Sequence, residues 1–317
     1  MKKFTHPFMH LLVLAMMSLV IMFLSLMMGV AVGVSDNDPT TFLLWNTFVQ
    51  LLSFALPMVV MTRMYYGGEQ REFYQLDFSG RKWLFALAGV AVFLLLVPLT
   101  DWLATWNNSW HWSGVWEKVE ESLRHAGEQS QQLVERFLKE CHPALNLFGL
   151  ALVPALCEEL FFRAGIQNLL LRWFSRSSSL NAHRSSLITH RSSLITHRSS
   201  LITHFAVWVT AAVFSLAHGE VFAFLPRFVL GVLLGYLYVY GRSLLINVTV
   251  HFINNAIIVV AYGLMVGGAT EFDPSDPLAL SPVLTVGCTL AAVALFYVVF
   301  LRRTSGTESR HQCKSRS

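Results

Sequence analysis

The chain has 317 residues, of which 54% are hydrophobic and only 13% charged, with a net charge of +4. A soluble domain carries about 25% charged residues, so this chain lacks the polar surface to cover itself in water, and its apolar residues fall in long blocks. That excludes a soluble enzyme, a disordered protein and a coiled coil. It also excludes a transmembrane β-barrel, whose strands alternate apolar and polar residues in runs of about ten. The expectation is all-α: a polytopic membrane helical bundle of about eight transmembrane helices. It forms a single integral membrane domain over residues 1–317, with the lipid bilayer as its first partner.

A helix crossing ~30 Å of hydrocarbon needs about 20 mostly apolar residues. The segments that fit, in sequence order, are 9–34, 42–62, 83–100, 144–171, 204–225, 226–241, 244–266 and 282–301. The first follows Lys2 and Lys3 as a signal peptide would, but its apolar run is far longer than the roughly 7–15 residues of such a peptide, and no clear A-x-A site follows. It reads as a retained anchor. Pro226 and Arg227 interrupt the pair 204–241, and 226–241 is short for a full crossing, so this pair forms either two spans or a shallow hairpin. An even number of crossings puts both termini on one side. With the termini in the cytoplasm, 17 of the 23 Lys and Arg lie inside, only Lys118, Arg124, Arg136, Lys139 and Arg227 lie outside, and Arg163 lies within a span. This satisfies the positive-inside rule. It also explains the basic residues by topology, without a nucleic-acid partner.

Between the third and fourth spans, residues 101–143 form the one sizeable extramembrane segment. It opens with Trp102, Trp106, Trp110, Trp112 and Trp116 and continues as a charged helix from about 115 to 140. The pattern predicts an extracytoplasmic aromatic belt with an amphipathic helix lying on the bilayer. Between the fourth and fifth spans, residues 183–203 hold three identical copies of His-Arg-Ser-Ser-Leu-Ile-Thr, beginning at His183, His190 and His197 and followed by His204. Histidines at this spacing would suit a metal tract or a heptad. Copies without a single difference are instead the mark of recent duplication, and loop closure costs grow slowly with length. The repeat is expected to be a passive insert in a cytoplasmic loop. The four cysteines, Cys141, Cys157, Cys288 and Cys313, show no CxxC or zinc-finger spacing, and Cys313 is one position away from a C-a-a-X prenylation box.

Ionisable side chains inside spans cost at least ~2.5 kcal/mol each on insertion scales, so each is a functional candidate. They are few: Glu158, Glu159 and Arg163 in the fourth span, His218 and Glu220 in the fifth, and His251 with Asn254 and Asn255 in the seventh. Their confinement to three helices predicts one buried site. Glu159 and Arg163 stand i, i+4 in the favoured acid-to-base order, as a structural ion pair. Glu158, about 100° round the helix, has no partner on its own helix and suits a general base. His251 and Asn255 lie one turn apart and point together. Glu220, close to the outer turn, reads as loop chemistry. Counting along the fourth helix puts Glu158 ~20 Å from its outer end, which predicts a cytoplasmic mouth.

EExxxR at Glu158–Arg163, FxxxH at Phe214–His218 and HxxxN at His251–Asn255, in that order on separate helices, resemble the CPBP family of intramembrane proteases. That family includes the CAAX prenyl endopeptidases and bacteriocin-processing or immunity proteins. The stretch Phe228–Tyr236 looks like the family's glycine-containing helix, and the resemblance covers a core of residues 144–266. It implies an intramembrane endopeptidase acting on a membrane-associated protein or peptide, in a bacterial plasma membrane with both termini cytoplasmic. By this resemblance Glu158 activates a water with help from His218, while His251 and Asn255 stabilise the oxyanion. A divalent metal such as zinc on Glu158, His218 and His251 is the other mechanism it allows. The chemistry agrees, since peptide hydrolysis needs a base for water and fixed donors where negative charge develops. HExxH is absent, no predicted span holds Asp and none holds GxSG, which sets aside the site-2 zinc, aspartyl and rhomboid types. Two other readings stay open. One is a non-catalytic immunity or scaffold protein of the same fold. The other, ranked lower for want of internal symmetry, is a proton-coupled transporter, since buried Glu and His also form proton relays.

Deleting one or two of the three repeat copies is expected to leave the activity of the full-length protein unchanged in a cell-based assay. A large loss in a well-expressed deletion would give the repeat a function.

Overall fold

A computed structural model describes residues 6–67, 70–80, 82–175 and 191–302, except 272, 274, 275 and 279, and for 191–199 the backbone alone. The chain runs through α1 (Pro7–Ala31), α2 (Pro39–Tyr65), the short α3 (Gln70–Tyr74), α4 (Lys82–Asn108), α5 (Glu117–Glu140), α6 (Pro143–Ser175), α7 (Arg191–Leu216), α8 (Val221–Gly241), α9 (Leu244–Val266) and α10 (Pro282–Leu301). No strand occurs among the described residues. Seven of these helices, α1, α2, α4, α6, α8, α9 and α10, are long and apolar enough to cross a membrane, and α7 adds the shorter apolar stretch Ser200–Leu216. The protein is an all-α polytopic membrane bundle.

Helix starts are marked by chemistry. Asp38–Pro39, His142–Pro143 and Ser281–Pro282 each place a side-chain acceptor on a free backbone N–H. Proline follows at the first helical position, where its missing N–H costs nothing. The same logic corrects the expected break at Pro226 and Arg227. The chain turns earlier, at residues 217–220, where Gly219 takes a left-handed φ of +73°. The next helix opens with a 3-10 turn over Val221–Ala223 and becomes α-helical at Phe224, so Pro226 falls in the first α-helical turn, where no intrahelical donor is needed. The result is a span of 21 residues, long enough for a full crossing. Likewise α4 continues past residue 100 to Asn108, so one span does contain an Asp. Asp101 sits near the polar end of α4 and accepts from the Leu278 N–H at 3.2 Å, outside the cluster of the motif residues.

The first repeat copy lies outside the described residues. From Arg191 the remainder is helical and continues directly into the fifth span, not into a loop, because extending a formed helix requires no new nucleus.

Two apolar clusters flank the middle of the bundle. One joins Leu14 of α1, Met58 and Met61 of α2, Phe161 and Phe162 of α6 and Phe214 of α7. The other joins Val92 of α4, Leu233, Leu234 and Leu237 of α8, Val250 of α9 and Phe300 of α10. Helices α7 and α8 approach closely because Gly231 and Gly235 face α7. A Cβ on Gly235 would stand 2.7 Å from Val207 Cγ1, and one on Gly231 would stand 3.0 Å from Ala211 Cβ. The first helix is part of this packing through buried Leu14, while Met16, Phe23 and Leu24 point outward, where lipid receives them.

Helix α5 is the charged helix expected at 115–140, but it packs on the bundle through buried Phe137, against Leu43 and Cys141. Its first turn is clasped. The buried Glu120 carboxylate accepts from the Trp112 N–H at 2.5 Å, Arg124 Nε at 2.8 Å and His111 Nδ1 at 3.0 Å. Arg124 also donates to Asn108 Oδ1 at 2.9 Å and the Trp110 carbonyl at 2.8 Å, and it lies over the Phe222 ring. The Trp112 N–H first, then Arg124 and His111, hold the Glu120 carboxyl at about 2, below its ordinary 4.5. Because the folded value is the lower one, the clasp stabilises fully above about pH 4.5 and is lost as the pH falls toward 2. A nitroxide at Ser122→Cys, in a protein stripped of its other cysteines, is expected to gain mobility over that acid range. With Glu120→Gln it should be mobile already at neutral pH, and equal mobility in both proteins at neutral pH would count against the clasp.

Candidate active site

The site is built around one buried carboxylate. Glu159 on α6 is fully buried. Its Oε2 lies 3.3 Å from Arg163 Nε and accepts from Asn247 Nδ2 at 3.1 Å, and its Oε1 meets His251 Nδ1 at 2.9 Å. Around these residues α6 is wound wider than an α-helix, with i→i+5 hydrogen bonds over Glu159–Gln167 that include the Asn168 N–H to the Arg163 carbonyl. Each partner of Glu159 reaches a further helix. Arg163, itself fully buried, lies over the Phe214 ring of α7 with its carbon 4.8 Å from the centroid, and Asn247 donates to the Leu234 carbonyl of α8 at 2.6 Å. A little farther along α6, Gln167 donates to the Gly235 carbonyl at 2.9 Å.

A carboxylate can only accept, so the bond to Glu159 puts the proton of His251 on Nδ1 and turns Nε2 toward the cavity. There Nε2 stands 3.8 Å from Glu158 Oε2. His218 is arranged in the same way. Its Nδ1 donates to the Phe214 carbonyl at 2.8 Å, and its Nε2 stands 3.9 Å from the same Glu158 oxygen. The turn that carries His218 is fixed by Asn107, which bonds both the Val221 carbonyl and the Leu225 N–H, and by Ser215, which donates to the Phe224 carbonyl. Glu158 Oε2 is buried and has no hydrogen-bond partner within the protein. Two ring nitrogens thus face one carboxylate oxygen across gaps that suit a shared small polar molecule better than direct hydrogen bonds.

The structure brings Glu158, His218, His251 and Asn255 to one cavity of about 510 Å³, a normal size for a ligand pocket. Glu159 and Arg163 lie behind it, outside the lining. Asn254 donates to Asn255 Oδ1 at 2.8 Å, which leaves the Asn255 amide N–H groups as the donors available to the cavity. Asn247 and Asn254 complete the arrangement from outside the roles that the motifs assign. Asn247 is legible in the sequence as a polar residue in an apolar span, one turn before His251. Glu220 lies in the turn between α7 and α8, as expected, and its carboxylate is bonded there by Arg227, which also lines the cavity.

The mouth is expected at the end of the bundle away from the 101–143 segment, and the cavity extends the other way. The cavity is walled by Thr100, Val134, Leu138, Arg227, Ile258 and Tyr262, so it extends toward the end of the bundle that carries α5. The opposite end, marked by Lys82 Nζ donating to the Arg242 carbonyl, is sealed beneath Glu158 by Arg163, Gln167, Leu237 and Asn247, all of them fully buried. Counting along one helix could not reveal which side its neighbours closed. Helix α5 is accordingly a wall of the site and not only an interfacial helix.

The donors fit a metal poorly. Ligands at zinc distances of 2.0–2.2 Å stand about 3.3–3.5 Å from one another in a tetrahedral site, whereas the imidazole nitrogens lie 3.8 and 3.9 Å from the carboxylate oxygen. Among the described residues no group of three or more His, Cys, Asp or Glu is placed to hold a metal ion.

Comparison with known proteins adds one match. Residues 140–257 match the family model described as type II CAAX prenyl endopeptidase Rce1-like, an interval that contains all three motifs. No curated protein and no solved structure matches the sequence.

Removing one partner of a buried ion pair leaves an uncompensated charge and costs about 3–5 kcal/mol. Arg163→Met is therefore expected to lower unfolding stability in detergent by that amount, read by denaturant titration. A loss below about 1 kcal/mol would show that the Glu159 network does not hold the helices together.

Proposed function

We propose that this protein is an intramembrane endopeptidase that hydrolyses a peptide bond of a membrane-associated protein or peptide, a reading supported by the match of residues 140–257 to the Rce1-like family model. The observation that carries the reading is the buried, unpartnered Oε2 of Glu158 facing the Nε2 atoms of His218 and His251. A water held there gives one proton to Glu158 as its oxygen attacks the carbonyl carbon, and His218 Nε2 accepts the second hydrogen and orients the lone pair. The carbonyl oxygen becomes the oxyanion. Donors for it come from the Asn255 amide and from His251. With Nδ1 committed to Glu159, His251 can donate at Nε2 only as the imidazolium, whose charge is balanced by the Glu159 carboxylate and by the oxyanion itself. Glu158 then returns its proton to the leaving nitrogen and the C–N bond breaks; the carboxylic acid so formed passes its remaining proton through His218 Nε2 to the free amine, and the products leave as carboxylate and ammonium.

No step is routed through a metal, given the donor spacing. We place both termini in the cytoplasm on the distribution of Lys and Arg, which would open the cavity to the extracytoplasmic side.

Glu158→Gln keeps the shape of the side chain and removes the base. It is expected to reduce cleavage at least ~100-fold, read by comparing the membrane peptides of cells carrying wild type or variant. A phenotype that survives Glu158→Gln in a stably expressed protein would favour the scaffold reading, and Glu158-dependent proton flux in liposomes would favour a transporter. Cleavage by purified protein is expected to persist after chelation. Loss on chelation, restored by zinc, would replace the water-only mechanism with a metal-assisted one.

A further inference from the structure

The mechanism leaves one charged group of the cavity unused. Arg227, near the start of α8, lines both the catalytic cavity and a second cavity of about 700 Å³ beneath α5. It is the only Lys or Arg among the described residues that line the catalytic cavity. Its Nη2 donates to the Glu220 carboxylate, and Glu220 lines the second cavity but not the first. Its Nη1 is shielded from solvent and has no acceptor in the protein. A guanidinium N–H left unpaired among apolar walls is costly until something accepts from it. The group whose geometry matches that planar fork is a carboxylate, through two parallel N–H···O bonds. Glu220 stands two residues from His218, so the ion pair also ties Arg227 to the turn that carries a residue of the hydrolytic site.

We propose that Arg227 anchors a carboxylate of the substrate, so that cleavage falls a short distance from a negatively charged group, either the substrate's C-terminus or one of its Asp or Glu side chains. The inference rests on the peptidase reading above and names a feature of its substrate. Arg227 is a specificity-determining residue here and does not touch the reacting atoms. Glu220 holds the fork in the free protein and competes with the substrate for it.

The probe is a synthetic peptide spanning the cut site found by the wild-type and Glu158→Gln comparison. It is made as the free acid, as the C-terminal amide, and with each Asp or Glu replaced by Asn or Gln. Wild type is expected to show a KM about tenfold or more higher for whichever peptide lacks the anchored carboxylate. The peptide affected identifies the C-terminus or an acidic residue as the source. Arg227→Gln should raise KM for the carboxylate peptide about tenfold, leave kcat within about threefold and abolish the preference. Arg227→Lys, which keeps the charge but not the fork, should retain part of it. Glu220→Gln separates an anchor from a plain salt bridge, because it breaks the same ion pair yet should keep the preference with an equal or lower KM. Should Arg227→Gln fold poorly, the same comparison is made as peptide affinity with Arg227→Lys in the Glu158→Gln background. A wild type indifferent to the carboxylate, or a preference that survives Arg227→Gln while Glu158→Gln stays inactive, overturns the anchor alone. Equal loss in the Arg227 and Glu220 variants does the same. If Glu158→Gln changes no peptide at all, the peptidase reading fails and the anchor falls with it.

Discussion

A carboxylate with no access to water, Glu159, is the constraint from which the rest of the site follows. A bare charge at that depth would be prohibitively expensive, and the structure meets the cost by surrounding it with Arg163, Asn247 and His251. These groups come from two helices and extend by further contacts to two more. The same bonds that neutralise Glu159 therefore lock the relative positions of α6, α7, α8 and α9. They also decide which nitrogen of His251 is free, so the charge that organises the bundle also sets the protonation pattern of its cavity.

Glu158 and Glu159 are adjacent in sequence and opposite in circumstance. One faces inward to a closed network, and the other faces a cavity with its Oε2 unpartnered. That division comes from the helix, which turns neighbouring side chains to different faces. It comes equally from packing, which fills the space on one side of α6 with Gln167, Leu237 and Asn247 and leaves the other side open beneath α5. The close crossing at Gly231 and Gly235 lets side chains of α6 reach backbone carbonyls of α8. Small residues thus take part in the polar network as well as in helix packing.

Much of this was legible in the residues themselves. The scarcity of charge identified lipid as the solvent, and the apolar blocks located the helices. The cost of burying ionisable groups picked out Glu158, Glu159, Arg163, His218 and His251 from the rest, and the family match covers the interval that contains them. Less legible were features that depend on neighbours. Pro226 reads as a breaker in any window of sequence, yet one turn of offset makes it harmless. Arg227 reads as an outer basic residue, yet it lines the cavity. Asn247 stood in plain sight one turn before His251, but its importance depends on a carboxylate 88 positions earlier.

By itself the sequence determined that this is an all-α membrane protein and which few side chains its interior must accommodate, because hydrophobic length and the cost of buried charge are local properties of a polypeptide. Only the tertiary structure decided which carboxylate is enclosed and which is exposed to the cavity, which ring nitrogens face it, that α5 closes one wall and that the cavity extends toward the α5 end. Those are relations between helices distant in sequence. They follow from how the helices stagger and cross, which no count along a single helix contains.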